Sequence, residues 1–162
     1  EDKRGYFCKL FCSNDIKFQN NSDYIKQVNL SFNKKRGTVR GLHFQKSPML
    51  EEKIVTCIKG KVFDVVVDLR ANSKNYLKWF SVILSEEKKI SIHIPRGFAH
   101  GFQTLEKSTE LIYFHSESYS PENDLGVNPL DPTLQIKWPE KISEMSERDR
   151  SFKKIDNSFV GL

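Results

Sequence analysis

The sequence is poor in cysteine: Cys8, Cys12 and Cys57 are the only three in 162 residues. So few thiols, and an odd number of them, exclude the disulfide-stapled scaffold of small secreted domains. Cys8 and Cys12 are spaced CxxxC, with no second Cys pair or nearby His to complete a zinc site. They lie in an aromatic stretch and read as buried free thiols in a reduced, cytoplasmic chain. No apolar run approaches the roughly 20 residues that cross a bilayer, and no leader pattern precedes the first strand. A membrane partner is therefore not expected. Dense charge of one sign is also missing. Lys plus Arg number 26 against 21 for Asp plus Glu, and Lys34-Lys35-Arg36 is the longest basic run. Nothing resembles a nucleic-acid module, so no nucleic-acid partner is expected. The diffuse positive field favours a small anion instead.

Aromatic residues, by contrast, make up 12% of the chain, twelve of them Phe. That share favours sheet. Short runs with period-two alternation recur at spacings near ten residues, separated by turn signals. Strands are expected at Gly5–Phe11, Gln27–Phe32, Thr38–Gln45, Lys53–Ile58, Val62–Leu69, Trp79–Leu84, Lys89–Ile94, Phe98–Leu105 and Glu110–His115. Lys53–Ile58 and Val62–Leu69 meet across Gly60 as a hairpin candidate. Polar residues 13–15 and 19–23 read as a loop or a short helix start. Pro129, Pro132 and Pro139 punctuate an irregular segment, and Ser143–Lys154 reads as a short helix capped by Ser143 or Ser146. The fold class this predicts is all-β: a cupin-type jelly-roll barrel with a short C-terminal helix, one domain over residues 1–162. Trp79 and Trp138 read as core.

Two segments carry chemistry. In Ile94-Pro95-Arg96-Gly97-Phe98-Ala99-His100-Gly101-Phe102, the Pro-x-Gly-x-x-His spacing matches the second cupin motif, in which a tight turn aims a His inward. Metal-binding cupins add a His-x-His and a Glu. Here the corresponding stretch, Gly41-Leu42-His43-Phe44-Gln45, has Gln where the second imidazole would stand. Only His43 and His100 remain as ligands, too few for a catalytic metal, so no metal is expected and His43 reads as an acid–base group. Strict alternation places Val39, Gly41, His43 and Gln45 on one face of this strand, and Arg40, Leu42 and Phe44 on the other. His93 and His115 read as ordinary strand or surface histidines. Asp64 reads as a pocket or supporting residue, and Asp68 with Arg70 as support for a strand end.

Arg36-Gly37-Thr38-Val39-Arg40-Gly41-Leu42-His43-Phe44-Gln45 resembles the RG-x-x-RGLH-[YF]-Q signature of the dTDP-4-dehydrorhamnose 3,5-epimerase family. Glu52–Val55, Val62–Arg70, Ile94–Phe102 and Asp131-Pro132 with Ile136–Pro139 resemble further family motifs in the same order. The resemblance runs from about Arg4 to Asp149. It implies cofactor-free epimerisation of a nucleotide-diphosphate 4-keto-6-deoxy sugar: proton abstraction beside the ketone, then reprotonation from the opposite face. By resemblance His43 is the base and Asp149, in Ser146-Glu147-Arg148-Asp149, orients it. Lys53 neutralises the enolate and Tyr113 is the opposite-face acid. Arg40 and Arg4 match diphosphate ligands, Gln27 and Asn29 match polar residues of the same site, Tyr119 an aromatic near the base and His100 a site-lining residue. A homodimer with N-terminal strands crossing the interface is also implied. One departure concerns the nucleotide: Lys9 stands where the family often has Glu. Alternatives are epimerisation at one carbon only, on a dTDP-, CDP- or GDP-sugar, a sugar-nucleotide ketoisomerase, and a non-catalytic nucleotide-sugar-binding cupin.

Overall fold

The computed structural model describes residues 3–15, 25–156 and 158–162. Among the described residues nine strands and one helix follow in order: β1 Gln27–Asn33, β2 Val39–Gln45, β3 Lys53–Lys59, β4 Lys61–Asp68, β5 Trp79–Ser85, β6 Ser91–Ile94, β7 Phe98–Thr104, β8 Thr109–His115, β9 Asp124–Gly126 and α1 Glu147–Ser151. They form two antiparallel sheets, β1-β8-β3-β6 and β5-β4-β7-β2-β9. Neighbours in each sheet are mostly distant in sequence, as a jelly roll requires.

Two apolar clusters explain the burial pattern. Between the sheets lie Val55, Cys57 and Leu111 from the four-stranded sheet, against Val62, Val66 and Phe102 from the five-stranded one. Behind the larger sheet, Leu42, Phe44, Val65, Val67 and Ala99 are covered by Val127, Leu134, Trp138, Ile155 and Phe159 of the C-terminal segment. Both faces of this sheet are thus shielded, which is why the β4 sequence is a nearly unbroken β-branched run. Trp79 and Trp138 are partly buried in that outer layer, each edge-on to Phe63.

Four sequence expectations change. Gly5–Phe11 is not a strand: beyond a bridge at Gly5 it carries no sheet pairing. Its aromatics serve as a cover instead, with Phe11 stacked on Phe114 of β8 at 5.9 Å, while Tyr6 and Phe7 are exposed. Cys8 and Cys12 are accordingly half-buried rather than buried. The expected helix over Ser143–Lys154 is reduced to Glu147–Ser151, because the residues on either side are engaged with other elements. Ser143 Oγ donates to the Arg36 carbonyl, and Ser146 is the cap. The strand expected from Lys89 begins at Ser91, since Lys89 has φ 51°. Residues 19–23 lie outside the described residues.

The fourth change matters most for function. Arg40 pairs with Phe102 and His43 with His100, so β2 spans three residues where β7 spans two. This is a β-bulge, one extra residue in one strand. Phe102 and His100 both point between the sheets, so Arg40 and His43 do too, although alternation had put them on opposite faces. Gly41 makes the bulge possible. Its φ is 118°, and a Cβ there would come within 2.6 Å of the Gly101 Cα and 2.8 Å of the His100 carbonyl oxygen.

Candidate active site

One end of the space between the sheets is open. The cleft there holds about 470 Å³ and is lined by β1 (Asn29, Ser31), β2 (Arg40, His43), β3 (Lys53), β7 (His100, Phe102) and β8 (Tyr113, His115). A smaller recess of about 220 Å³ shares Asn29, His43, Lys53 and His115 and adds Gln27, Gln45, Glu51, Tyr119, Asp124 and Arg148.

His43 Nε2 lies 2.8 Å from Asp149 Oδ1. The other carboxylate oxygen accepts the Gly41 amide at 3.0 Å, and Ser146 Oγ accepts the Asp149 amide at 3.0 Å. A five-residue helix is too short to be stable alone, so this cap and the packing on β2 hold Asp149 in place. Burial opposes ionisation of Asp149, but the bonds from His43 and Gly41 and the Ser146 hydroxyl outweigh it and hold its carboxyl below the ordinary value. An ionised carboxylate can only accept, so His43 Nε2 carries the proton and the Nδ1 lone pair is free. His43 keeps about a third of its side chain open to the cleft.

Tyr113 Oη is 3.1 Å from Ser31 Oγ, and its ring is edge-on to His100 at 6.3 Å. Burial pushes the phenol well above its ordinary value, aided by Asp64 and opposed by the Ser31 bond and Arg40. It therefore stays protonated at neutral pH, as an acid must. Lys53, 8% exposed, pairs with Glu51 at 2.9 Å. His100 Nε2 is 2.9 Å from Asp64 Oδ2, which gives Asp64 the supporting role expected of it. Arg40 Nε donates to Asn33 Oδ1 at 2.6 Å.

Gln27 and Asn29 face inward on β1. The Tyr119 amide donates to Gln27 Oε1, and Gln27 Nε2 donates to Asn29 Oδ1. Gln45 bonds the Ser118 carbonyl and the Ser120 amide, so the glutamine found in place of a second imidazole fixes the loop that carries Tyr119. Six of the ten candidates line the larger cleft, Gln27 and Tyr119 line the adjoining recess, and Asp149 stands behind His43. Arg4 is the exception: it is exposed and lines neither recess. Lys9 is likewise away from the cleft, paired with Asp15 at 2.5 Å. Among the described residues no group of three or more His, Cys, Asp or Glu is placed to hold a metal ion.

Two residues were missed. His115 lines the cleft rather than serving as an ordinary strand histidine, and Glu51 bridges it to Lys53. His115 is two residues from Tyr113 and so shares its face, a signal present in the sequence. Glu51 precedes its strand and gave no periodic signal.

The pH dependence of stability follows from these carboxylates. Glu51 is held below its usual 4.5, since His115 and Lys53 outweigh its burial, and Asp149 below 3.8. Asp68 is lowered to about 2, chiefly by the Arg70 guanidinium. All three have folded values below their unfolded ones. Their stabilisation is complete above about pH 4.5 and is lost as pH falls through the folded values. Thermal unfolding at pH 6, 4, 3 and 2 should show a midpoint that drops steeply only below pH 4. A midpoint that rises on acidification would contradict the assignment.

A jelly-roll sandwich with a carboxylate-oriented imidazole, a buried ammonium and a protonated phenol around one cleft defines a cupin-type protein equipped for acid–base chemistry. A family model described as dTDP-4-dehydrorhamnose 3,5-epimerase matches residues 1–157. The dTDP-4-dehydrorhamnose 3,5-epimerase of Sinorhizobium fredii is 42% identical over 152 residues, 93% of this chain and 77% of its own. The Bacillus anthracis dTDP-4-dehydrorhamnose 3,5-epimerase, solved with TDP and PPi bound, superposes with a TM-score of 0.90 at 34% identity, covering 96% of this chain and 89% of that one. A 3'-monoepimerase from Streptomyces bikiniensis in complex with dTDP-quinovose superposes with a TM-score of 0.87 at 31% identity, covering 94% of this chain and 78% of that one. The chain belongs to the dTDP-4-dehydrorhamnose 3,5-epimerase family and is an isomerase of that kind.

Proposed function

We propose that the chain epimerises a dTDP-linked 4-keto-6-deoxyhexose at the carbons flanking the ketone, with the residues of this cleft in defined roles. The ketone acidifies the neighbouring C–H bonds. His43 Nδ1 takes a proton while Asp149 stabilises the imidazolium through Nε2. Lys53 offsets the charge that develops on the enolate oxygen, in a site dry enough for that charge to count. Tyr113 returns a proton from the other side; the His43 imidazolium then gives its proton to solvent and the Tyr113 phenolate takes one from solvent, which restores both groups. Arg40 meets the diphosphate, and Tyr119 the nucleotide base, with Gln27 and Asn29 between them. The observation that carries this reading is the 2.8 Å His43–Asp149 pair in a cleft that Tyr113 and Lys53 also line. Support for dTDP comes from the relatives; Lys9 is engaged with Asp15 and leaves the choice of nucleotide to the cleft residues.

The test is incubation with the dTDP-4-keto-6-deoxy sugar in heavy water, with products read by mass and NMR. Two deuterium atoms per sugar are expected, with inversion at both carbons. One deuterium would reassign the chain to single-carbon epimerisation, and carbonyl migration to ketoisomerisation. No exchange would overturn catalysis altogether.

The reading includes a homodimer. Val28, Leu30 and Phe32 are each more than half exposed along the outer face of the edge strand β1. A second copy laid on this face would bury that stripe and close the open edge. The expected mass in solution is twice 18.9 kDa. A monomer at micromolar concentration by light scattering would refute it.

A further inference from the structure

The wall of the larger cleft carries Arg40, Lys53 and three histidines but no carboxylate. The acids stand behind it. Asp149 backs His43, Asp64 backs His100, and Glu51 backs His115 at 2.7 Å. The third pair differs from the other two, because Glu51 also holds Lys53. One carboxylate oxygen takes Lys53 Nζ at 2.9 Å and the other takes His115 Nδ1. Asn29 Nδ2 then lies 3.3 Å from His115 Nε2, so the chain of bonds continues across the sheet to β1.

We infer that Glu51, fixed by His115, is a positioning residue that holds the Lys53 ammonium charged and aimed at the enolate oxygen. This rests on the role proposed above for Lys53. Three observations support it. Glu51 and Lys53 are both nearly buried, with side-chain exposures of 8% and 11%, so neither is solvated as an isolated ion. Glu51 is the one ion-pair partner of Lys53 among the described residues. The other titratable groups facing Lys53 across the cleft are Arg40 and His43 of β2, His100 of β7, and Tyr113 and His115 of β8, none of them a carboxylate. In the adjoining recess Asp124 is taken by Arg148 at 2.6 Å. Without Glu51, the buried ammonium would lose its one acidic partner among the described residues and share the cleft with the Arg40 guanidinium, which disfavours its charged form. His115 supplies the geometry: by occupying the second oxygen, it stops the carboxylate from swinging into the cleft, where it would repel an enolate. Burial disfavours the charged form of Glu51, yet the His115 bond and the Lys53 ion pair outweigh it and hold its carboxyl below the ordinary value.

The test compares wild type, Glu51→Gln, Glu51→Asp and His115→Gln by kcat, KM and the pH profile of epimerisation, with dTDP binding and thermal unfolding as controls for folding. Glu51→Gln should lower kcat about 10- to 100-fold with KM within about threefold, and move the alkaline limb of kcat/KM down by about one pH unit or more. Glu51→Asp keeps the charge one methylene shorter, so it should restore the limb but not the full kcat. His115→Gln should lower kcat and leave the limb in place. Wild-type kcat and limb in either Glu51 variant would overturn the inference. A Glu51→Gln variant that fails to fold leaves Glu51→Asp to decide it by the same two readings. Absence of activity in the wild type is a separate outcome, which overturns the role proposed for Lys53 and this inference with it.

Discussion

His43→Ala should remove epimerisation and solvent exchange together, lowering kcat/KM by about 10²- to 10⁴-fold, the range a general base supplies. The loss should fall on kcat, since Arg40, Tyr119 and the β1 amides keep their positions for binding. The protein should still fold. His43 is part-exposed, and its removal leaves Asp149 with the Gly41 amide. Losing one partner of a buried carboxylate costs about 1–3 kcal/mol, a few degrees in midpoint for each kcal/mol at this size. Added imidazole should restore part of the exchange, because the alanine leaves room beside Asp149. Wild-type exchange in this variant would remove His43 from the mechanism.

Tyr113→Phe should separate two events that are joined in the wild type. With His43 intact, the base can still take a proton, trade it for deuterium and return it to the same face. Exchange should therefore persist within about tenfold, while inverted product falls about 10²- to 10⁴-fold. The product NMR would show the starting configuration carrying deuterium. The substitution removes one hydroxyl and leaves the ring against His100 and His115, so folding is little disturbed. Its hydrogen-bond partner Ser31 Oγ also bonds Asn33 and is not left alone. Inversion at the wild-type rate would mean that the opposite-face proton comes from elsewhere.

Most of the strands were legible because period two survives wherever one face packs and the other is wet. The shorter and less regular elements were not. Asp124–Gly126 is three residues long, too short to show a period, and pairs with β2 only because the chain returns there. Gly5–Phe11 has strand composition, but it lays Phe11 on Phe114 of β8 instead of pairing with a strand. At the site, motif order led to His43, Lys53, Tyr113 and Asp149, whereas geometry alone brought in Glu51 and His115. Their pairing depends on the β3–β8 register, in which Lys53 lies opposite His115, and register is set by packing and not by local sequence. Alternation failed at Arg40 and His43 for a similar reason: Gly41 does not announce whether it marks a turn, a bulge or a close approach.

That extra residue has a consequence for how the chain tolerates change. Between Arg40 and His43 the spacing is odd, and the two side chains share a face only while the bulge holds. Pairing the same residues in an even ladder, which a side chain at position 41 would favour, sends either the guanidinium or the imidazole to the far side of the sheet, among Leu42 and Phe44. The surface turn between Ser85 and Ser91 can grow or shrink without altering which side any strand residue faces. The phase of β2, not the identity of any single side chain on it, is what lets the Arg40 guanidinium and the His43 imidazole share one wall.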